Sequence, residues 1–219
     1  MRSSNGSTEK KKSSHNNIED QDESENLSAH FNPPPYLEKL LEFRIIFLSG
    51  FIDEEKAHEL VSRLIALDYQ NPKKDILFYI DSYGGEIYSL VAIHDTMKML
   101  RCDVATICIA KAMSAGAILL LAGTKGKRFI TPNARVMLHE ISSEEDEGRL
   151  SDLRDSLKET EKLQGLLEIL TKKYTKISAT QIKEIFAKNT YMDASTAKKY
   201  GVVDHIITHP EIIHQHTNI

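Results

Sequence analysis

The sequence predicts an α/β fold built on a largely parallel sheet. Three observations carry that expectation. Short apolar runs rich in β-branched residues recur at Arg44–Ser49, Ile76–Ile80 and Val104–Ile109, the pattern of strands buried on both faces. Each run is followed by a helical pattern rather than by another strand. The resulting strand–helix units repeat at a spacing that needs crossover connections, and crossovers make neighbouring strands parallel.

The first strand ends at Gly50, and Asp53 ahead of Glu54 and Glu55 is a helix N-cap with an acidic first turn. The helix that follows carries Leu60, Val61, Leu64, Ile65 and Leu67 on one face and stops at Asn71-Pro72. The second strand ends at Asp81-Ser82-Tyr83-Gly84-Gly85, and a second helix spans Glu86 to about Leu100. The third strand leads to a small-residue helix starting near Ser114. Two short strands bracket Thr131-Pro132-Asn133. From Arg149 to about Tyr174, Leu150, Leu153, Leu157, Leu163, Leu167 and Leu170 recur at helical spacing with charges between them. Such a helix is roughly 39 Å long at 1.5 Å per residue. It is expected to protrude, and its leucine seam favours self-association over packing on its own core. Asp193 is expected to cap a last helix over Ala194–Lys199.

Composition bounds the rest. The chain has 219 residues and a formal net charge of −4, which does not fit a strongly basic nucleic-acid binder. Residues 1–30 hold four apolar side chains, four positive and six negative charges, so they contribute −2 of that charge and are expected to be a disordered polar tail over 1–32. The tail lacks the apolar segment of a secretory leader. The run Ala115–Ala122 is far shorter than the ~20 residues of a membrane span. A cytoplasmic protein with one domain over 33–208 and a flexible tail over 209–219 is expected. Cys102 and Cys108 are too few for a disulfide scaffold and read as buried free thiols. His205, His209, His214 and His216 are too loosely spaced for a metal site, and no metal or cofactor is expected. His94, beside Ile87, Leu90 and Val91 on a helix face, reads as a satisfied core or interface histidine.

Three stretches have the residue types that chemistry needs. Gly84-Gly85, after a strand and before a helix, lets a substrate backbone come close and leaves an amide free, although a plain tight turn has the same sequence. Ser114, flanked by small residues at the start of an apolar helix, has the open approach a nucleophile needs, with the Ala115 amide beside it. An N-cap serine is the competing reading. His139 ends the apolar run Arg135–Leu138 as a general base would, or as an ordinary histidine at a strand end.

These pieces occur in one order with Lys125–Phe129, Pro132–His139 and Tyr200–Asp204, and the ordered set resembles the proteolytic subunit of the Clp protease over roughly residues 36–208. The resemblance implies a crotonase-like fold of stacked ββα units with a protruding handle helix at about 149–174. It implies a serine peptidase that assembles into sevenfold rings stacked as a tetradecamer and is fed unfolded polypeptide by a separate AAA+ unfoldase. By position, Ser114 matches the nucleophile, His139 the base, Gly85 and Ala115 the oxyanion amides, and Tyr79 an aromatic of the unfoldase-docking cleft. No nucleotide-binding loop is present, since Gly126-Lys127 is followed by Arg128 without the upstream spacing.

The departures are specific. Asn189 stands where the family has the third triad residue, an Asp. Tyr83 and Ile141 replace prolines, Lys188 replaces an Arg, and Glu144–Glu147 replaces a glycine-rich strand that pairs with peptide and with the opposite ring. An Asn oxygen can hold a histidine ring but brings no charge to stabilise imidazolium; weak or conditional activity alone is therefore expected, with mixed assembly beside a standard paralogue as one remedy. A structural or regulatory subunit is the alternative reading. An acyl-CoA enzyme of the same fold, or a Ser-Lys peptidase using Lys111 or Lys125, fits the Ser and His less well.

Overall fold

The computed structural model describes residues 35–142 and 148–219. The N-terminal tail and the acidic run Glu144–Glu147 therefore lie outside the described residues.

The first elements follow the expected alternation. Helix α1 (Pro35–Glu42) leads into β1 (Ile45–Ile52), α2 (Glu54–Gln70), β2 (Ile76–Gly85), α3 (Ile87–Met99), β3 (Val104–Met113) and α4 (Ala115–Leu121). Strands β4 (Arg128–Ile130) and β5 (Arg135–Leu138) come next, then the long helix α5 (Leu150–Tyr174). The chain closes with α6 (Ala179–Phe186), β6 (Thr190–Met192), α7 (Ala194–Tyr200), β7 (His205–Ile206) and α8 (Glu211–His216). Asp53 accepts the Lys56 amide at 2.8 Å and Asp193 the Thr196 amide at 2.7 Å, so both expected N-caps are made.

The seven strands of the described residues form one sheet in the order β1-β2-β3-β4-β7, with β5 joining at β3 and β6 at β5. All pairings are parallel except β5 with β6. Two strands run further than their apolar runs indicate. Strand β3 continues past Ile109 because Ala110 takes a positive φ of 58° and bends the strand without ending it. Its first part pairs Thr106–Cys108 with β4, and its continuation pairs Lys111–Met113 with β5. Strand β2 continues through the glycine pair because its partner β1 also continues, after a register shift at Gly50/Phe51, to pair Ile52 with Gly85. Strand propensity missed both extensions because they rest on a bend and on glycines rather than on β-branched residues.

Two apolar layers result. Helices α2, α3 and α4 cover one face, where Leu60, Leu64, Leu90, Ile93 and the whole of α4 are buried with Phe78 and Ile80. On the other face Leu77, Ala105, Ile107 and Phe129 are covered by Ile212, Ile213 and Ile219. Residues 209–219, expected to be a flexible tail, thus carry α8 against the sheet. Asn218 pins the end: its N–H donates to Asp75 Oδ2 (2.9 Å), its side-chain amide to Lys73 O (2.8 Å), and its carbonyl accepts the Asp75 amide (2.8 Å). The apolar signal here is three isoleucines spread among histidines, too sparse to read as a packing face.

Buried ion pairs lock the elements. Arg128 holds Asp204 through Nε–Oδ2 (2.8 Å) and Nη2–Oδ1 (2.7 Å) and also donates to Tyr174 O (2.9 Å), tying β4 to the end of α5 and to the turn after α7. Burial pushes the Asp204 carboxyl up, and Arg128 and two backbone amides outweigh it, leaving the group below the usual carboxylate range. Cys102 and Cys108 are buried free thiols, pushed up by desolvation to about 11 and about 12. His94 is buried, with Nδ1 2.7 Å from Asp95 and Nε2 3.1 Å from the Tyr174 hydroxyl, the satisfied histidine that the helix pattern indicates.

Candidate active site

The end of β2 forms one wall. Gly84 has φ 108°, a conformation that favours glycine. A Cβ there would lie 2.7 Å from Ser114 Cβ and 3.1 Å from the Ala115 amide, so only glycine lets β2 approach the serine this closely. A Cβ on Gly85 would lie 2.1 Å from Ile52 O. The amides on either side of Gly85 are committed, Gly84 N to Ser82 Oγ (3.0 Å) and Glu86 N to Ile52 O (2.8 Å). Successive amides of a strand point opposite ways, so the Gly85 N–H faces away from Ile52.

Ser82 was missed in the sequence. Its hydroxyl donates to Gly50 O (2.6 Å) and accepts the Gly84 amide, so one buried side chain fixes both glycine-containing turns. Gly116 at the start of α4 packs on it, with room for a Cβ only 3.3 Å from Ser82 Cβ. A single Ser beside a glycine pair has no spacing signal; only the sheet register, which pairs it with Ala112, brings it against Gly116 at the start of α4.

Ser114 stands between β3 and α4 with φ 53° and ψ −124°. A non-glycine residue held there carries strain of about 1–3 kcal/mol, retained only where the surroundings over-determine it. Those surroundings are visible. Its amide donates to Met137 O at 2.8 Å, and the helix it opens is buried along its full length. Ser114 occupies the N-cap position, yet its side chain makes no capping hydrogen bond. The competing N-cap reading therefore does not describe its hydroxyl.

His139 follows β5 directly. Met113 pairs with Met137 in the parallel register, which sets Ser114 beside the end of that strand. On its other side β5 pairs Leu138 with Thr190, where the ladder ends, so His139 and Asn189 each lie one residue beyond its last pair. The segment is held by Glu140 N to Phe186 O (2.8 Å) and by Ile141 N to Gln164 Oε1 (3.1 Å), the latter a direct tie to α5. Ser114 and His139 are half-buried and Asn189 is exposed. Among the described residues no hydrogen bond joins Ser114 Oγ to His139 or His139 to Asn189. Asp193 is spent on capping α7, which holds its carboxyl down at about 2. Lys111 is spent on Asp81 (2.6 Å) and lies 4.3 Å from the Tyr83 ring centroid; the hydrogen bond to Asp81 raises its pKa, which keeps it a cation rather than a base.

Tyr79 lies elsewhere. It stacks on Phe47 at 5.0 Å and borders a cavity of about 780 Å³ shared with Leu77, Ile213 and Ile219. Burial raises its phenol pKa.

A strained serine at a strand-to-helix turn, a glycine pair packed against it and a histidine just past the neighbouring strand are compatible with nucleophilic acyl transfer, the chemistry of serine hydrolases. The family model described as Clp protease matches residues 34–210, and the chain belongs to that family of serine-type hydrolases. It is 40% identical over 178 residues to ATP-dependent Clp protease proteolytic subunit 2 of Corynebacterium jeikeium, covering 81% of this chain and 85% of the relative. It is 38% identical to proteolytic subunit 1 of Rhodococcus jostii, with 81% and 80% covered, and 40% identical to proteolytic subunit 2 of Streptomyces coelicolor, with 80% and 79% covered.

Proposed function

We propose that the protein is a serine endopeptidase subunit of a self-compartmentalised barrel that degrades unfolded polypeptide. Ser114 is the nucleophile and His139 takes its proton. The developing oxyanion is met by the amides of Gly85 and Ala115. Asn189 orients the ring of His139 through its side-chain oxygen. The single observation that carries this reading is the strained backbone of Ser114 with a hydroxyl that caps nothing. Strain held at a reactive residue by buried neighbours is a functional signature.

The fold is read as crotonase-like, with α5 as the handle. Leu150, Leu157 and Ile169 on α5 are each 60% exposed or more, an unpartnered apolar seam that supports packing against a second copy. Sevenfold rings, paired face to face, are the assembly proposed, in the cytoplasm, with neither nucleic acid nor membrane as a partner. Tyr79 and its apolar surroundings are the proposed docking point for a AAA+ unfoldase, which supplies the ATP hydrolysis this chain has no motif for.

The absence, among the described residues, of hydrogen bonds linking Ser114, His139 and Asn189 favours a site that is conditional on assembly. The relatives' names carry subunit numbers, which supports a second paralogue as the partner that completes it. A purely structural or regulatory subunit is the second reading. A fluorophosphonate probe separates them. Labelling at Ser114, lost in Ser114→Ala and matched by peptide hydrolysis, is the expected result. No labelling in any assembly state, alone or mixed with a standard proteolytic subunit, overturns the peptidase reading.

A further inference from the structure

A second cavity, of about 510 Å³, opens on the far side of α4 from Ser114, between the ends of α3, α5 and α7 and the turn before β4. Six cations line it: Lys98, Lys125, Arg128, Lys173, Lys176 and Lys198. Its one carboxylate, Asp204, is consumed by the bidentate pair with Arg128. Among the described residues none of the five lysines has a carboxylate within ion-pair distance. This is notable in a chain with 32 acidic and 28 basic residues, where carboxylates are available to pair.

All five lysines are exposed, and two of them, Lys98 and Lys173, gather on one aromatic ring. Lys98 donates to Ala122 O at the end of α4. Its ammonium lies 4.9 Å from the Tyr174 ring centroid and that of Lys173 lies 5.1 Å from the same centroid. Tyr174 is fixed in turn by its hydroxyl contact with His94 and by its carbonyl contact with Arg128. Burial, then the charges of Lys173 and Arg128, push Lys98 below the usual lysine range, the direction that an uncompensated cluster of like charge produces. Thr124 and Thr175 also line the cavity with hydroxyls that donate to Asp103 and to Thr171 O, and Gly123 and Gly201 let backbone reach the cavity wall.

We propose that this cavity binds a compact polyphosphate, a chain of two or three phosphate groups either free or carried by a nucleoside. Five lysines without a carboxylate partner around a space of this size match a short, multivalent, oxygen-rich anion better than a single carboxylate. The bound anion bridges the ends of three helices and the turn after α4, so it stabilises the joint between α4, which follows Ser114, and the end of α5.

The test is calorimetric titration of the full-length protein with sodium tripolyphosphate at constant ionic strength, with ADP and ATP as parallel arms. One saturable site per chain is expected, with a rise in melting temperature. Lys173→Gln and Lys198→Gln should each weaken binding roughly tenfold or more, the loss of one charge-assisted contact. Lys158→Gln, which removes an exposed lysine already paired with Asp155 on α5, should leave it unchanged. Nucleotides binding at least tenfold more tightly than tripolyphosphate identify a nucleotide as the natural source; equal affinity identifies the free polyphosphate. The proposal is overturned by any of three results: no saturable site, equal weakening in Lys158→Gln, or an equal melting-temperature rise with sodium sulfate at the same ionic strength. Tighter binding of a polyglutamate peptide than of any phosphate compound overturns it in favour of an acidic polypeptide.

Discussion

Asn189→Asp is the perturbation that bears most directly on the site. Strand β5 pairs Leu138 with Thr190, and His139 and Asn189 are the next residues beyond that last pair; under the proposed function they face each other. Facing residues of an antiparallel pair have Cα atoms ~4.5–5.5 Å apart, within reach of a carboxylate-to-imidazole hydrogen bond. At about 4 Å and an effective dielectric of about 20, a carboxylate and an imidazolium attract by about 4 kcal/mol. Realised wholly in the transition state, that is roughly a thousandfold in rate. The known cost of the reverse change in a pre-aligned serine protease is ~10⁴. Asn189 is exposed, so solvent screens much of the gain. The expected increase is therefore about ten- to a hundredfold in the turnover of a fluorogenic peptide, with a parallel gain in the rate of fluorophosphonate labelling.

Both assays depend on the same base, which makes the outcome decisive. A variant within twofold of the parent on both measures, while Ser114→Ala abolishes both, would refute the placement of residue 189 beside the ring. Stability supplies the control. Among the described residues the Asn189 side chain makes no hydrogen bond, so the melting temperature should not move and a change in rate can be assigned to the site.

Three other outcomes are expected. Gly84→Ala should lower activity by at least a hundredfold and destabilise by about 1–3 kcal/mol, because its φ of 108° strains any side chain and its Cβ would meet Ser114 at 2.7 Å; kinetics with denaturant unfolding checks it. Asp204→Asn leaves Arg128 buried without its counter-charge and should cost about 3–5 kcal/mol, read as a lower denaturant midpoint at unchanged slope. Acidification should destabilise through His94: burial first, then Lys98 and Lys173, hold its pKa below the ordinary value against the pull of the exposed Asp95, so the unfolded chain binds the proton more readily. Its contribution is complete above about pH 6.5 and is lost as pH falls through the folded-state value; His94→Gln should flatten that part of the stability profile.

How much of this was legible in the sequence depends on what each feature rests on. The three main strands, helices α2 to α5 and the caps Asp53 and Asp193 follow from local pattern, and local pattern found them. Ser114 and His139 were found as ambiguous residues whose order along the chain matched a family. What distinguishes Ser114 from an N-cap, its backbone conformation and unused hydroxyl, has no sequence signal because the strain is imposed by the buried helix after it and by Met137 beside it. Ser82, the bend at Ala110 and the seating of α8 are likewise tertiary facts: each depends on residues 30 or more positions away or on a backbone angle that alanine does not announce. The five-lysine cavity draws on α3, the turn before β4, α5 and α7, so no window of the sequence contains it.

Two of the departures, Asn189 and Ile141, bear on one piece of chain, and the Ile141 N–H is a donor that a proline there would lack. Among the described residues Asn189 makes no hydrogen bond to His139, and the segment carrying His139 is fixed by hydrogen bonds from the residues just after it, one to the end of α6 and one to Gln164 on α5. Gln164 is itself held by Glu168 on the same helix (3.1 Å), one residue from the exposed Ile169. Any partner that packs on the α5 seam therefore bears on the position of Ile141 and, two residues earlier, of the histidine. Under the proposed function this makes ring pairing a source of the alignment that the Asn side chain cannot supply by charge. Gln164→Ala tests the link. It should reduce hydrolysis by the assembled protein far more than it reduces assembly measured by light scattering, because the side chain lies between α5 and the site rather than on the exposed seam. Equal losses in both measurements would mean that Gln164 serves the helix packing and not the histidine.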